Sequence, residues 1–201
     1  MKFFSLENPI WKFIGNLADF FLLSCLWYLC CLPVVTAGAA TALYYVTLKM
    51  ARGQEGQLIP AFFHSFKQNL KQATALWVGY LAVGILLVLD LVICLQTSSV
   101  FAGAMFFTSV VLLACWALFI TMLFPLVARC DNTIGALFKM GIAMALRNVM
   151  PVLAALMVTV AFFAVGVFVF WPVLLVAPGL ASYCNAFLFN RIFDKYGMTL
   201  E

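Results

Sequence analysis

Charge is what this 201-residue chain has least of: 9% of it is Asp, Glu, Lys or Arg, with seven carboxylates against eleven basic residues. A soluble domain is about half apolar and about a quarter charged, whereas 67% of this chain is hydrophobic. That shortage excludes a water-soluble fold of this length, because the bilayer must act as solvent for most of the surface. There is one histidine, His64, and no C-x-x-C among the seven cysteines, so neither a zinc site nor a disulfide framework has ligands to build from. A Walker A lysine loop, a G-x-S-x-G and a Ser/His/Asp arrangement are all missing. These gaps predict a protein with no catalytic residues, no metal and no cofactor. The net charge of +4 is too small to signal nucleic acid. No polar or Gly/Ser-rich linker divides the chain, so residues 1–201 are expected to form a single integral membrane domain.

What is present is long apolar sequence. Four runs have the length of a membrane span, at about 14–34, 73–96, 102–127 and 151–171. Two shorter ones, about 38–50 and 180–192, follow helix-breaking residues: Pro33 and Gly38 before the first, Pro172, Pro178 and Gly179 before the second. The expected fold class is all-α, a polytopic transmembrane helical bundle of about six spans, two of them short. If both short runs cross, the connections at about 33–38, 97–101 and 172–179 share one side and contain no Lys or Arg. All eleven basic residues then fall on the other side: Lys2, Lys12, Lys49, Arg52, Lys67, Lys71, Arg129, Lys139, Arg147, Arg191 and Lys195. Positive residues collect on the cytoplasmic side of short loops, so both termini are expected to be cytoplasmic. A cleaved leader ending at Ala37–Ala39 is the competing reading. Glu7 and Asp19 spoil such a leader, and its apolar run is longer than usual.

The cytoplasmic loops carry helical periodicity. In "LIPAFFHSFKQNLKQA", Ile59, Phe62, Phe63, Phe66 and Leu70 share one face and His64, Lys67, Gln68 and Lys71 the other. That pattern predicts an amphipathic helix in the headgroup layer, entered at Pro60. "DNTIGALFKMGIAMALRN" predicts a second, with Ile134, Leu137, Phe138 and Ile142 as its apolar stripe. "LENPIWKFIGN" is a candidate third, with Trp11 at the interface. Each precedes a rising span and ends in asparagine plus an aliphatic residue: Asn16–Leu17, Asn69–Leu70 and Asn148–Val149. This is either a unit of interfacial helix, span up and span down repeated three times, or a coincidence of three asparagines.

Two carboxylates fall within spans, where charge is costly and marks either a partner or a functional path. Asp19 lies early in the first span, within reach of Lys12 or an interfacial lysine. Asp90 lies late in the third, flanked by leucines, with no basic residue expected on its side. It must find a hydroxyl, an amide or water, take a proton, or reach the outer interface. Asp90, Asp19, Asn16, Asn69 and Asn148 are therefore the candidate polar functional residues.

The stretch "LADFFLLSCLWYLCCLPVVTAGAATALYYVTLKMARGQEG" and the following "FFHSFKQNLKQAT" carry L-P-V-V-T-x-G-A, A-L-Y-Y-V-x-L-K and S-F-K-x-N. In that combination the chain resembles the YesL-like family of bacterial integral membrane proteins, with a weaker match through "FPLVARCDNTIGALFKMGIAMALRN". The resemblance implies a small polytopic protein of the bacterial cytoplasmic membrane, of a kind often associated with carbohydrate uptake. Its activity is unassigned, so no functional residue carries over. Family members often show two adjacent acidic residues where this chain has "RGQEG". The expected function is a non-enzymatic accessory or regulatory component, with the lipid bilayer and a sugar ABC-type permease or membrane sensor as partners. The alternative is an autonomous small-solute transporter or flippase, with discontinuous helices lining a path.

Overall fold

A chain this apolar must satisfy its backbone groups within its own segments, and helices do so. The computed structural model describes residues 9–30, 36–54, 56–97, 100–130 and 132–198, with side chains left out at 9–16 and 100. Among them run α1 (Pro9–Leu29), α2 (Thr36–Met50), α3 (Leu58–Gln96), α4 (Val100–Val127), α5 (Ile134–Arg147), α6 (Val149–Phe168) and α7 (Ala177–Lys195). A 3₁₀ turn, Trp171–Leu175, joins the last two. The fold is an all-α bundle of the kind a membrane requires. By length and composition α3, α4 and α6 can cross a membrane, and Leu17–Leu29 is a shorter apolar helix.

Several boundaries differ from the sequence expectation, each for a physical reason. The amphipathic stretch at 59–71 is not a separate interfacial helix but the first half of α3, which runs unbroken for 39 residues. Its proline, Pro60, sits in the first turn, where a missing N–H costs nothing, and no glycine follows before Gly79. Its apolar face turns inward: Phe62, Ser65, Asn69, Ala73, Leu76 and Tyr80 are buried, while Ile59 and Phe63 are exposed. At 1.5 Å per residue α3 is about 58 Å long, nearly twice the about 30 Å hydrocarbon thickness.

Gly38 is not a helix break either. It lies inside α2, and a Cβ there would stand 2.8 Å from Leu70 Cδ1. The missing side chain lets the start of α2 press against the middle of α3. Leu70 is about 39 Å short of the far end of α3, so the start of α2 does not reach the depth of the α3–α4 connection. The 38–50 segment thus packs mainly along the first half of α3. Pro33 lies outside the described residues.

Pro178 and Gly179, expected as breaks, are also helical and open the first turn of α7. The interruption lies before them, where Pro172 sits in the 3₁₀ turn. Among the described residues only α5 is set apart as an amphipathic helix, separated from α6 by Asn148 at φ −127°, ψ 46°. Its expected stripe divides: Leu137 is buried, whereas Ile134, Phe138 and Ile142 are exposed. Gly141, Met144 and Ala145 take the inner positions instead.

At the centre stand α2 and α7, the two helices with the least apolar sequence. α2 touches α1, α3, α4 and α7, and α7 touches α1, α2 and α6. They bury small and polar side chains, among them Thr41, Thr47, Ser182, Asn185 and Asn190. Thr41 and Thr47 spend their hydroxyls on carbonyls one turn back, Ala37 at 2.9 Å and Leu43 at 3.0 Å, which makes burial affordable.

A candidate functional site of two arginines and one carboxylate

The end of α2, the end of α4 and the last turns of α7 converge on one polar cluster. Asn190 is its hub. Its amide donates to the Leu48 carbonyl at 3.1 Å, which fixes the amide plane. Its Oδ1 accepts from Arg52 Nε at 3.0 Å and from Arg129 Nη1 at 3.1 Å. Asp194, one turn further along α7, is ion-paired with Arg52 and lies 3.8 Å from Arg129 Nη2. Arg129 Nη2 also donates to the Met198 carbonyl, and its guanidinium stacks over the Phe193 ring at 5.1 Å.

The two guanidinium groups are not equivalent. The Arg129 side chain is 0% exposed, that of Arg52 is 23% exposed, and Asp194 is 58% exposed. Burial first, and the like charge of Arg52 second, lower the pKa of Arg129, with Asp194 opposing them. Its Nε is buried without a hydrogen-bond partner. The cluster therefore holds two cations on one carboxylate, a deficit of negative charge that the neutral Asn190 carbonyl only softens. Beside it lies a concavity of about 520 Å³ lined by Arg52, Gln54, Phe187, Asn190, Arg191 and Asp194.

The residues singled out in the sequence fall elsewhere. Asp90 accepts a hydrogen bond from the Ser109 hydroxyl across the α3–α4 hairpin, one of the partners expected for it. Asp19 lines a second concavity of about 530 Å³ with Gly53, Gln54 and Tyr183; the side chain of Lys12, its expected partner, lies outside the described residues. The Asn69 amide donates to Ser65 O at 3.1 Å and Ser65 Oγ at 3.2 Å. That of Asn148 donates to Met144 O at 2.9 Å and to the Tyr196 hydroxyl at 3.1 Å. Both thus bond the carbonyl four residues back, and Asn148 adds a tie to the chain beyond α7. The Asn16 side chain is outside the described residues.

The second of the expected interruptions lies against α1. Gly179 N–H donates to Ser24 Oγ at 2.9 Å, and the Tyr28 hydroxyl donates to the Leu174 carbonyl at 2.7 Å. The start of α7 and the 3₁₀ turn are thereby sewn to α1. Asp90 sits on a different interface, so the polar candidates form no single site. Arg52 and Arg129 entered the sequence reading only as charges in a partition, and Asn190 and Asp194 not at all. Their i, i+4 spacing on α7 is the one local signal; the arginines come from segments 77 residues apart.

Residues 20–91 match a family model described as a protein of unknown function, DUF624. That stretch runs from Phe20 in α1 through α2 to Leu91 in α3, so it includes Arg52 and Asp90 but not Arg129, Asn190 or Asp194. No curated protein and no solved structure matches the chain.

Proposed function

We propose that this protein is a non-enzymatic, multi-pass component of a bacterial cytoplasmic membrane that docks onto a partner complex through its basic end. The observation that carries this reading is the length of α3. Its about 58 Å exceeds the hydrocarbon by some 28 Å, which leaves the half around His64, Lys67 and Lys71 for the headgroup layer and the water beside it. The end that carries His64, Lys67 and Lys71 on its exposed face is the one that can stand in water. Ile59 and Phe63 are exposed on the same half-helix. An exposed aromatic framed by lysines suits a partner segment with acidic and apolar side chains. By the distribution of basic residues this end is cytoplasmic, with both termini on that side. The YesL-like resemblance makes a sugar ABC-type permease or a membrane sensor the first partner to look for.

Affinity capture of the tagged full chain from native membranes tests the reading. A permease or sensor subunit is expected to co-purify, and to be lost with the double variant Lys67→Glu/Lys71→Glu. Recovery of the chain alone would overturn it.

A second reading, a small-solute transporter, draws on the junction of α1 with the 3₁₀ turn and the start of α7. Solute flux into reconstituted vesicles that Ser24→Ala, at that junction, abolishes would favour it over docking.

A further inference from the structure

The concavity beside the arginine cluster has a polarity gradient along one helix. Phe187 and Arg191 are one turn apart on α7 and both are exposed, so about 6 Å separates an apolar contact from a cationic one. Arg52 and Asp194 close the same concavity from the cationic side. Among the described residues here, the positive groups Arg52, Arg129 and Arg191 outnumber the one carboxylate, Asp194. Arg129 is shut away and already bonded to Asn190 and Met198. The open cationic positions are therefore Arg52 and Arg191. A planar guanidinium fork fits phosphate oxygens in pairs. An apolar contact one turn from a phosphate-binding pair reproduces the order of groups in a phospholipid, acyl chain and glycerol before headgroup phosphate.

We propose that Arg52 and Arg191 bind the phosphate of an anionic phospholipid, with Phe187 against its glycerol and upper acyl chain. Asn190 and Arg129 act as positioning residues that aim Arg52, and Asp194 is the internal counter-ion with which the phosphate competes. The cluster is then a lipid-regulated joint between α2, α4 and α7, because an incoming phosphate releases Asp194 from Arg52 while Asn190 keeps the arginine in place. This inference is independent of any docked partner and stands whether or not one is found.

Native mass spectrometry of the detergent-purified full chain, titrated with phosphatidylglycerol, phosphatidylcholine or inorganic phosphate, tests it. Phosphatidylglycerol adducts are expected to exceed phosphatidylcholine adducts, and Arg191→Gln is expected to cut that preference about fivefold. Arg191 is exposed, so this variant keeps the bundle's packing. Asp194→Asn removes the competitor and is expected to strengthen phosphatidylglycerol binding. Equal binding of the two lipids, or full selectivity retained in Arg191→Gln, would overturn the proposal. Inorganic phosphate binding that depends on Arg52 and Arg191, without lipid preference, would assign the site to a free phosphate and overturn the lipid.

Discussion

The central helices α2 and α7 and the outer helices α3, α4 and α6 solve opposite problems. The outer three carry large apolar side chains to the surface: Leu86, Ile93, Phe107 and Phe168 are all exposed. Lipid tails are as apolar as leucine, so those side chains gain little by turning inward. The central pair instead buries glycine, alanine, serine, threonine and asparagine. Small residues let backbones approach, and packing and hydrogen bonds then hold helices that the hydrophobic effect cannot. Hydropathy and burial are therefore inverted relative to a soluble protein. The helices that look least like membrane spans are the ones around which the bundle is built.

The comparison can be broken most directly at Gly179. A Cβ there would stand 2.5 Å from the Phe20 carbonyl oxygen, a backbone atom. Gly179→Val is expected to cost about 3 kcal/mol, as overpacking at a tight contact does, read as a large loss of melting temperature in detergent. A tolerated valine would show that α1 and α7 do not depend on close approach. Next comes Asn190→Ala, which strips both guanidinium groups of a neutral acceptor. A drop of about 2 kcal/mol is expected, against a much smaller one for Asn190→Asp, which restores an acceptor. If alanine and aspartate behave alike in denaturant titrations, the hub role of Asn190 fails.

The outer hairpin should respond more weakly. Asp90→Asn and Ser109→Ala each remove or weaken one hydrogen bond, and about 0.6 kcal/mol is typical of such bonds within membranes. The double variant should cost no more than the larger single effect, which a double-variant cycle on unfolding free energy would check. Leu86→Ala marks the lower bound. This residue is 66% exposed, and less than about 0.5 kcal/mol is expected from a surface change that opens no cavity. A loss comparable to that of Asn190→Ala would mean that another surface covers this face.

The same inversion explains what could be read from the sequence. The outer helices were legible because their sequence is apolar along its length: the runs at 102–127 and 151–171 correspond to α4 and α6 within a few residues. The extent of α5 was legible too, since "DNT" before Ile134 and Asn148 after Arg147 punctuate it, although its expected apolar stripe divided. The continuity of α3 was not, because the polar face with Lys67 and Lys71 read as that of a separate interfacial helix ending at Asn69–Leu70, when it is only the exposed face of one longer helix. Nor was the depth of α2, which depends on where Gly38 meets Leu70, a contact across 32 residues of sequence. Gly38 and Gly179 were noticed as breaks for the right reason, an absent side chain, but that absence serves close packing here. The arginine cluster was illegible because its members come from three separate helix ends. Only the folded chain puts Arg52 and Arg129 on one amide oxygen, with Asp194 beside them.

The unbroken course of α3 has a mechanical consequence. Its first half is clamped along α2 and its second half along α4, yet both belong to one hydrogen-bonded rod whose glycines, Gly79 and Gly84, lie near its middle. A helix of this kind is stiff along its axis, so pushing its Leu58 end sideways pivots the other end about the clamp. A displacement of a few ångströms at the Leu58 end would reach the Asp90–Ser109 contact without any change of secondary structure. The helix is a lever, and its fulcrum is the stretch from Leu70 to Tyr80 where α2 lets go and α4 takes hold.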